Sequence, residues 1–317
     1  TSEQDFKDAS MVCDKLDIPL HRANFSDEYW DRVFKDFLSE HEKGRTPNPD
    51  ILCNREIKFK SFLDYALKIG ADLIATGHYA STVDKNGITY LARAVDITKD
   101  QTYFLHEVSS KEFSKTIFPL SNMKKDDVRK LAMRLGLVNA EKKDSVGICF
   151  IGERNLKDFL GRFITFKSGN IKDENNNVIG QHNGALLYTE GQRQGLNIGG
   201  VKGKPELPWY VYKKDIPNNT IYVCQGGDNE LLMSIRVMID SLHQINNEEL
   251  ELPFDCYVQV RHLQKPILAQ LKCESSNYYI DFKQPVRAAA PGQSAVIYKD
   301  NICIGGGIIS KSFNSIK

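Results

Sequence analysis

The sequence predicts an α/β fold: an N-terminal parallel sheet with helices on its faces, then a small β-rich segment, then an antiparallel β-barrel. Three observations predict it. Helix-like and strand-like runs alternate through the first half of the chain. After Phe159 the texture becomes rich in Gly, Asn and Lys. From about Leu231, short β-type runs alternate with turn residues. The boundaries fall at 1–158, 159–229 and 230–317.

Composition bounds the class. With 317 residues, 41% hydrophobic and 26% charged, the chain suits a soluble globular protein of two or three domains. It has no long apolar run for a membrane span and no signal-peptide pattern at its start. A net charge of +1 leaves any nucleic-acid site to local patches. The seven cysteines are odd in number, widely spaced and form no CxxC pair. That argues against a disulfide scaffold and against a zinc cluster, so no metal site is expected and a reducing, cytoplasmic setting is the default.

Taken in order, Phe6, Ala9, Val12, Cys13 and Leu16 recur at helical spacing, which puts Cys13 in the core. Ile18 to Phe25 reads as a short strand. Residues 28–42 form an amphipathic helix with Trp30, Val33, Phe34, Phe37 and Leu38 on one stripe. Gly44-Arg45-Thr46-Pro47-Asn48-Pro49-Asp50-Ile51-Leu52-Cys53-Asn54 follows. Two prolines stiffen this loop. Asn48 suits a helix cap and Pro49 the first helical position. Asp50 and Cys53 then share one helical face, where exposed N–H groups favour a thiolate. The same loop also reads as a stiff connection with a buried cysteine. The helix it starts runs to about Ile69, with Gly70 as its stop.

Asp72 to Thr76 is a short strand ending in Gly77-His78-Tyr79. Ligands of parallel sheets bind at such ends. Gly77 there serves either close approach of a nucleotide or a turn, and His78 reads as structural. Val83 to Ala94 is a hairpin turning at Lys85-Asn86-Gly87. Lys99-Asp100-Gln101-Thr102-Tyr103-Phe104 reads as a charged cap before apolar residues. Lys125 to Leu135 is a helix ended by Gly136. In Gly147-Ile148-Cys149-Phe150-Ile151-Gly152-Glu153-Arg154, Cys149 is either a buried strand cysteine or a thiol activated by Lys142, Lys143 and Arg154. Ala185–Tyr188 and Thr220–Cys224 are β-type runs. The barrel strands fall at Tyr257–Val260, Ile267–Lys272, Tyr278–Phe282, Ser294–Tyr298 and Ile302–Ile304, with Cys256, Cys273 and Cys303 in or beside them.

The ordered set resembles the tRNA-specific 2-thiouridylases (the MnmA/TrmU family). It comprises Pro47-Asn48-Pro49-Asp50-x-x-Cys53-Asn54, Thr76-Gly77-His78-Tyr79, Lys99-Asp100-Gln101-x-Tyr103-Phe104 and the Cys149 motif. Gly191-Gln192-Arg193-x-Gly195-Leu196, Pro208-Trp209-Tyr210-Val211, Pro291-Gly292-Gln293 and Gly305-Gly306-Gly307 extend it over essentially the whole chain. The resemblance implies an adenine-nucleotide alpha-hydrolase-like (PP-loop ATPase) first domain. It implies ATP, with Mg2+, to adenylate O2 of the wobble uridine of tRNA, and a cysteine persulfide to deliver sulfur. Cys149 would carry the persulfide, Cys53 would be the partner nucleophile and Asp50 the acid/base. Gly77 would contact ATP. Asn48, Pro49 and Asp50, together with Lys99, Asp100 and Gln101, would hold the target base and its surroundings. Arg261-His262 stands where the family usually shows Arg-Tyr and binds tRNA. A sulfur-donor protein of a persulfide relay would load Cys149, and a Cys53–Cys149 disulfide would form and be reset by a reductant. In the alternative order Cys53 frees hydrosulfide first.

The family's Ser-Gly-Gly-x-Asp-Ser phosphate loop, with its first strand, has no counterpart in these residues. The expectation is weak ATP binding and no thiolation by a chain truly lacking it. The alternatives are a tRNA-binding remnant without catalysis and a thiol–disulfide redox protein.

Overall fold

The structure is a computed structural model and describes residues 2–142, 156–201 and 203–314. Cys149, with Lys143 and Arg154, lies outside the described residues. The first helix is Ser2–Leu16. It buries no described residue, so Cys13 is half-buried and not core as expected. Residues 18–25 form no strand: Ile18 and Leu20 stay exposed, and no described strand lies beside them to complete a ladder. The next helix runs continuously through Ser26–Tyr29, Trp30–Phe34 and Lys35–Glu42, widening to π-type hydrogen bonding in the middle. Val33, Phe34 and Phe37 are buried along it, while Trp30 is exposed, against the expected stripe, and rests on Phe34 and Phe163.

Among the described residues the parallel sheet is present as two strands, β1 (Ile74–Ala75) and, later in the chain, a strand at Thr116–Ile117 in register with it. Between them lies a hairpin of β2 (Ala80–Lys85) and β3 (Ile88–Arg93). Asn86 and Gly87 both have positive φ at its turn, as a two-residue turn of this hand requires. With the Thr116 strand as β4, the central unit contributes β5 (Gly169–Lys172), β6 (Val178–His182), β7 (Trp209–Asp215) and β8 (Thr220–Gln225). Their order is β6-β5-β8-β7 over a core of Ile171, Leu196, Trp209, Val211, Ile221 and Val223. Ala185–Leu187 is a 3-10 turn closed onto Gly184, not a strand.

The C-terminal strands are β9 (Met233–Ile239), β10 (His243–Gln244), β11 (Phe254–Gln259), β12 (Ile267–Glu274), β13 (Asn277–Arg287), β14 (Ser294–Lys299) and β15 (Ile302–Phe313). The order β14-β11-β12-β13-β9-β15, closed by β14 against β15, makes an antiparallel barrel filled by residues such as Val258, Leu271, Ile280 and Ile297. β3 pairs with β15 through Ala92 and Leu91, so the hairpin of the first unit extends the barrel sheet. One hydrophobic cluster accordingly joins Phe59, Leu63, Tyr103 and Leu105 to Val296 and Tyr298. The N-terminal helices and the barrel are thereby held as neighbours, and the loops described next lie along their seam. Among the described residues no helix is long and apolar enough to cross a membrane.

Candidate active site

The proline loop is fixed by partners from two other units. The Thr46 amide donates to the Pro291 carbonyl at 3.1 Å, and Gln293 Nε2 donates to the Thr46 carbonyl at 2.6 Å. The Thr189 hydroxyl reaches the Thr46 hydroxyl at 3.1 Å. Arg45 pairs with Asp240 and Glu40. Gly292 makes this approach possible: it has φ +90, and a Cβ on it would meet Thr46 N at 2.6 Å. Two motifs distant in sequence thus form one joint.

From that joint the chain enters its helix as the residue types predict. Asn48 is extended (φ −111, ψ 100), and its side chain accepts from Asp50 N at 3.1 Å, with Pro49 in the first turn. The helix continues through Pro49–Leu52, Cys53–Ser61 and Phe62–Lys68, the middle stretch π-helical. The Cys53 amide donates back to the Pro49 and Asp50 carbonyls, which keeps Asp50 and Cys53 one turn apart. Such π segments frequently mark functional positions. Cys53 is buried among Phe37, Ile57, Leu160 and neighbouring rings, while Asp50 is partly open. Asn54 Nδ2 donates to the Phe104 carbonyl at 2.9 Å and ties this helix to the following loop.

That loop carries Lys99, Asp100 and Gln101 between 3-10 turns at Ile97–Lys99 and Thr102–Leu105. Gln101 Oε1 accepts from the Tyr79 amide, and the Gln101 amide donates to the Tyr79 carbonyl, both at 2.9 Å. This doubled contact fixes the loop against Gly77 and His78. Gly77, Gln101, Lys58, Phe62, Thr76 and His78 line a cleft of about 400 Å3. Gly77 is exposed there, with open space where a side chain would stand. His78 is buried; desolvation, then the Lys58 charge, lowers its pKa to about 3, and its Nδ1 lies 3.0 Å from the Thr76 hydroxyl. It is a neutral structural imidazole, as expected, at the edge of the cleft.

Asp100 is buried. Desolvation raises its pKa, opposed by the Thr102 hydroxyl at 2.7 Å and by the Arg93 charge. His262 Nε2 sits 3.1 Å from the Asp100 carbonyl, and its ring lies 4.3 Å from that of Phe104. Burial lowers the His262 pKa, offset by the Asp100 hydrogen bond and by the charges of Asp100 and Asp50. Asp50 and Asp100 therefore both lie within electrostatic reach of His262. Arg261 points the other way: its Nη2 donates to the Glu190 carbonyl at 2.6 Å. Burial raises the Glu190 carboxyl to about 7, opposed by Lys214 and Arg261. Among the described residues no group of three or more His, Cys, Asp or Glu is arranged to hold a metal ion.

The motifs read along the chain supplied Asn48, Asp50, Cys53, Gly77 and the 99–101 loop as candidates, of which the structure puts Gly77 and Gln101 in one cleft. They missed Thr46, Thr189 and the docking part of Gln293. Pro291-Gly292-Gln293 was visible as a motif, but only a contact 247 positions apart reveals its partner. Cys149 falls outside the described residues.

Three family models match the chain: a tRNA methyl transferase HUP domain over residues 1–153, a tRNA methyl transferase PRC-barrel domain over 157–225, and an aminomethyltransferase beta-barrel domain over 235–309. Proteins named tRNA-specific 2-thiouridylase MnmA are similar over nearly the full length. That of Legionella pneumophila (strain Lens) is 50% identical over 97% of this chain and 86% of its own. That of Pseudomonas fluorescens is 50% identical over 98% and 83%, and that of Enterococcus faecalis 46% over 100% and 85%.

Proposed function

The chain belongs to the tRNA-specific 2-thiouridylase family, and on that premise we propose that it replaces the C2 oxygen of the wobble uridine of tRNA with sulfur in an ATP-dependent reaction. The observation that carries this reading is the identity of about half over nearly the whole chain with enzymes of that name. The capped helix start that keeps Asp50 and Cys53 one turn apart, with the Asp50 charge felt at His262 beside the Asp100 carbonyl, supports it.

In this reading adenylation makes the C2 oxygen a leaving group, which is the whole contribution of ATP. The Gly77 cleft suits an adenosine moiety: open backbone at Gly77, an apolar wall from Phe62, a cation from Lys58. Mg2+ accompanies ATP, and no residue is assigned to hold it. The terminal sulfur of a persulfide on Cys149 attacks C2, and AMP departs with the original oxygen. The uracil is then joined to Cys149 through two sulfurs. Cys53, deprotonated with Asp50 as base, attacks the Cys149 Sγ. The sulfur–sulfur bond to the base breaks, its electron pair leaves with the outer sulfur, and 2-thiouridine is released. A Cys53–Cys149 disulfide remains for an external reductant, and a sulfur-donor protein reloads Cys149. A target base reaches such a site only outside its stack. Asn48, Pro49 and Asp50 with Lys99, Asp100 and Gln101 hold it. Arg261 and His262 support the same tRNA surface, although in this fold their polar groups are engaged by Glu190 and Asp100. We assign the domain limits 1–158, 159–229 and 230–317, and a reducing cytoplasmic setting, to the same reading.

The test is nucleoside analysis of tRNA after incubation with ATP and a persulfide source. 2-Thiouridine at the wobble position is expected from protein that carries the family's phosphate loop, and its loss in Cys53→Ser and in Cys149→Ser with tRNA affinity retained. A disulfide exchanger or a tRNA-binding remnant would leave the tRNA without sulfur.

A further inference from the structure

Residues 189–191 of the central unit touch both of the other units. The Thr189 hydroxyl meets that of Thr46 on the proline loop, and the Glu190 carbonyl accepts from Arg261 of the barrel. Gly191 lies against Ala288 of the barrel with no room for a side chain, and Gly44 lies in the same way against Ile216, just past β7. Two charged groups are enclosed in this seam. Lys214, on β7, has its Nζ buried without a hydrogen-bond partner among the described residues. The Glu190 carboxyl feels Lys214, then Arg261 and Lys213, through charge, with no hydrogen bond to it among the described residues. A cleft of about 300 Å3 reaches Glu190 between Tyr212 and Lys213 of the central unit and Ser234, Ala288 and Ser312 of the barrel. Opposite charges thus share one seam, and no hydrogen bond joins them. Enclosing them costs free energy that water returns.

We propose that this seam is a proton-linked hinge: the central unit parts from the barrel and the proline loop as Glu190 and Lys214 regain water, and closes again when Glu190 takes up a proton. This deepens the proposed function and rests on it for its consequence. Opening frees Thr46 from Thr189 and Arg261 from the Glu190 carbonyl, so the hinge sets both the placing of the proline loop and the release of Arg261. Burial raises the Glu190 carboxyl to about 7 from an ordinary 4.5, so closing takes up a proton between those values and is favoured toward the acid end. Burial lowers Lys214 to about 8 from 10.5, opposed by Glu190, so below pH 8 its share does not vary. The other groups facing the seam are Lys213, Arg261 with Arg287 and Tyr103 near it, and His41 with Glu40. Burial lowers His41, opposed by its Phe37 hydrogen bond and aided by Lys214, so His41 acts in the opposite sense to Glu190. Between pH 5.5 and 6.5 the Glu190 share multiplies the opening equilibrium about sevenfold.

The experiment acetylates the full protein with an amine-reactive ester at pH 5.5 and 6.5 and reads Lys214 against Lys213 by peptide mass spectrometry. Lys213 is exposed and adjacent, so the ratio cancels the reagent's own pH dependence and reports opening. Lys214 should be protected relative to Lys213 in the wild type at pH 5.5. The rise in the ratio from pH 5.5 to 6.5 should be about sevenfold greater in the wild type than in Glu190→Gln, which keeps the shape of the side chain and drops its charge. Thr189→Val, which removes the hydroxyl across the seam, should raise the ratio at both pH values. Equal pH dependence in wild type and Glu190→Gln overturns the proposal, as does a wild-type Lys214 that reacts like Lys213 at both pH values. A Thr189→Val ratio unchanged from wild type overturns it without recourse to position 190. None of these readings uses tRNA or ATP, so failure here removes this inference alone. A hinge that behaves as expected, in protein that carries the family's phosphate loop yet leaves tRNA without sulfur, removes the proposed function instead.

Discussion

Gly292→Ala is the sharpest test of how the proline loop is held. The added methyl would stand 2.6 Å from Thr46 N and 2.9 Å from Arg45 Cβ, where ordinary contact begins at 3.4 Å. It would also sit on a backbone at φ +90. A left-handed alanine costs about 1–2 kcal/mol. Displacing Thr46 weakens its two hydrogen bonds, to the Pro291 carbonyl and from Gln293, each worth about 0.5–1.5 kcal/mol. The expected destabilisation is about 2–4 kcal/mol. The kinetic effect should be larger, because Asn48, Asp50 and Cys53 all follow Thr46 within the next seven residues, and about 1 Å of misplacement costs about 100-fold in rate. Urea unfolding and the single-turnover rate of wobble thiolation at saturating tRNA measure the two effects. Gln293→Ala, which removes one hydrogen bond and adds no clash, should cost about 1 kcal/mol and slow the reaction less. A Gly292→Ala protein with wild-type stability and rate would refute the joint.

Asn48→Ala should destabilise the helix start by about 1 kcal/mol, read from the unfolding midpoint, and should lower the thiolation rate with little change in tRNA affinity. Arg261→Ala frees the Glu190 carbonyl of its partner and removes a cation from the proposed tRNA surface; tRNA affinity should fall, with a shallower salt dependence, read from binding titrations at two ionic strengths. His78 has a folded pKa of about 3, below its unfolded value of 6.5, so its contribution is full above pH 6.5 and is lost as the pH falls toward 3. Between pH 6.5 and 5 that loss is about 2 kcal/mol. Urea titrations at the two pH values should show a shallower decline in His78→Gln than in the wild type.

Local chemistry made some of this legible in the sequence. Asn48-Pro49 announces a capped helix start because the cap acts within two residues. Asn86-Gly87 announces the hairpin because both residues take positive φ. What was illegible depends on distant partners. Ile18 to Phe25 has strand-like composition but no neighbouring described strand. Ala185–Tyr188 has a β-type run but follows Gly184 into a turn. The strand Met233–Ile239 was overlooked, yet it pairs with both β13 and β15 and is needed to close the barrel. The ordered thiol motifs could be read along the chain, whereas the seating of Thr46 between Pro291, Gln293 and Thr189 exists only after the three units meet.

The central claim is that two thiols 96 positions apart act in turn, Cys149 passing its outer sulfur to the uracil ring and Cys53 releasing it from Cys149. Peptide mapping after a single turnover with tRNA, ATP and persulfide-loaded protein, without added reductant, tests it most directly. The expected product is a Cys53–Cys149 disulfide in amount equal to the 2-thiouridine formed, absent when tRNA or ATP is withheld. Formation of 2-thiouridine with Cys53 and Cys149 both recovered as free thiols would contradict it.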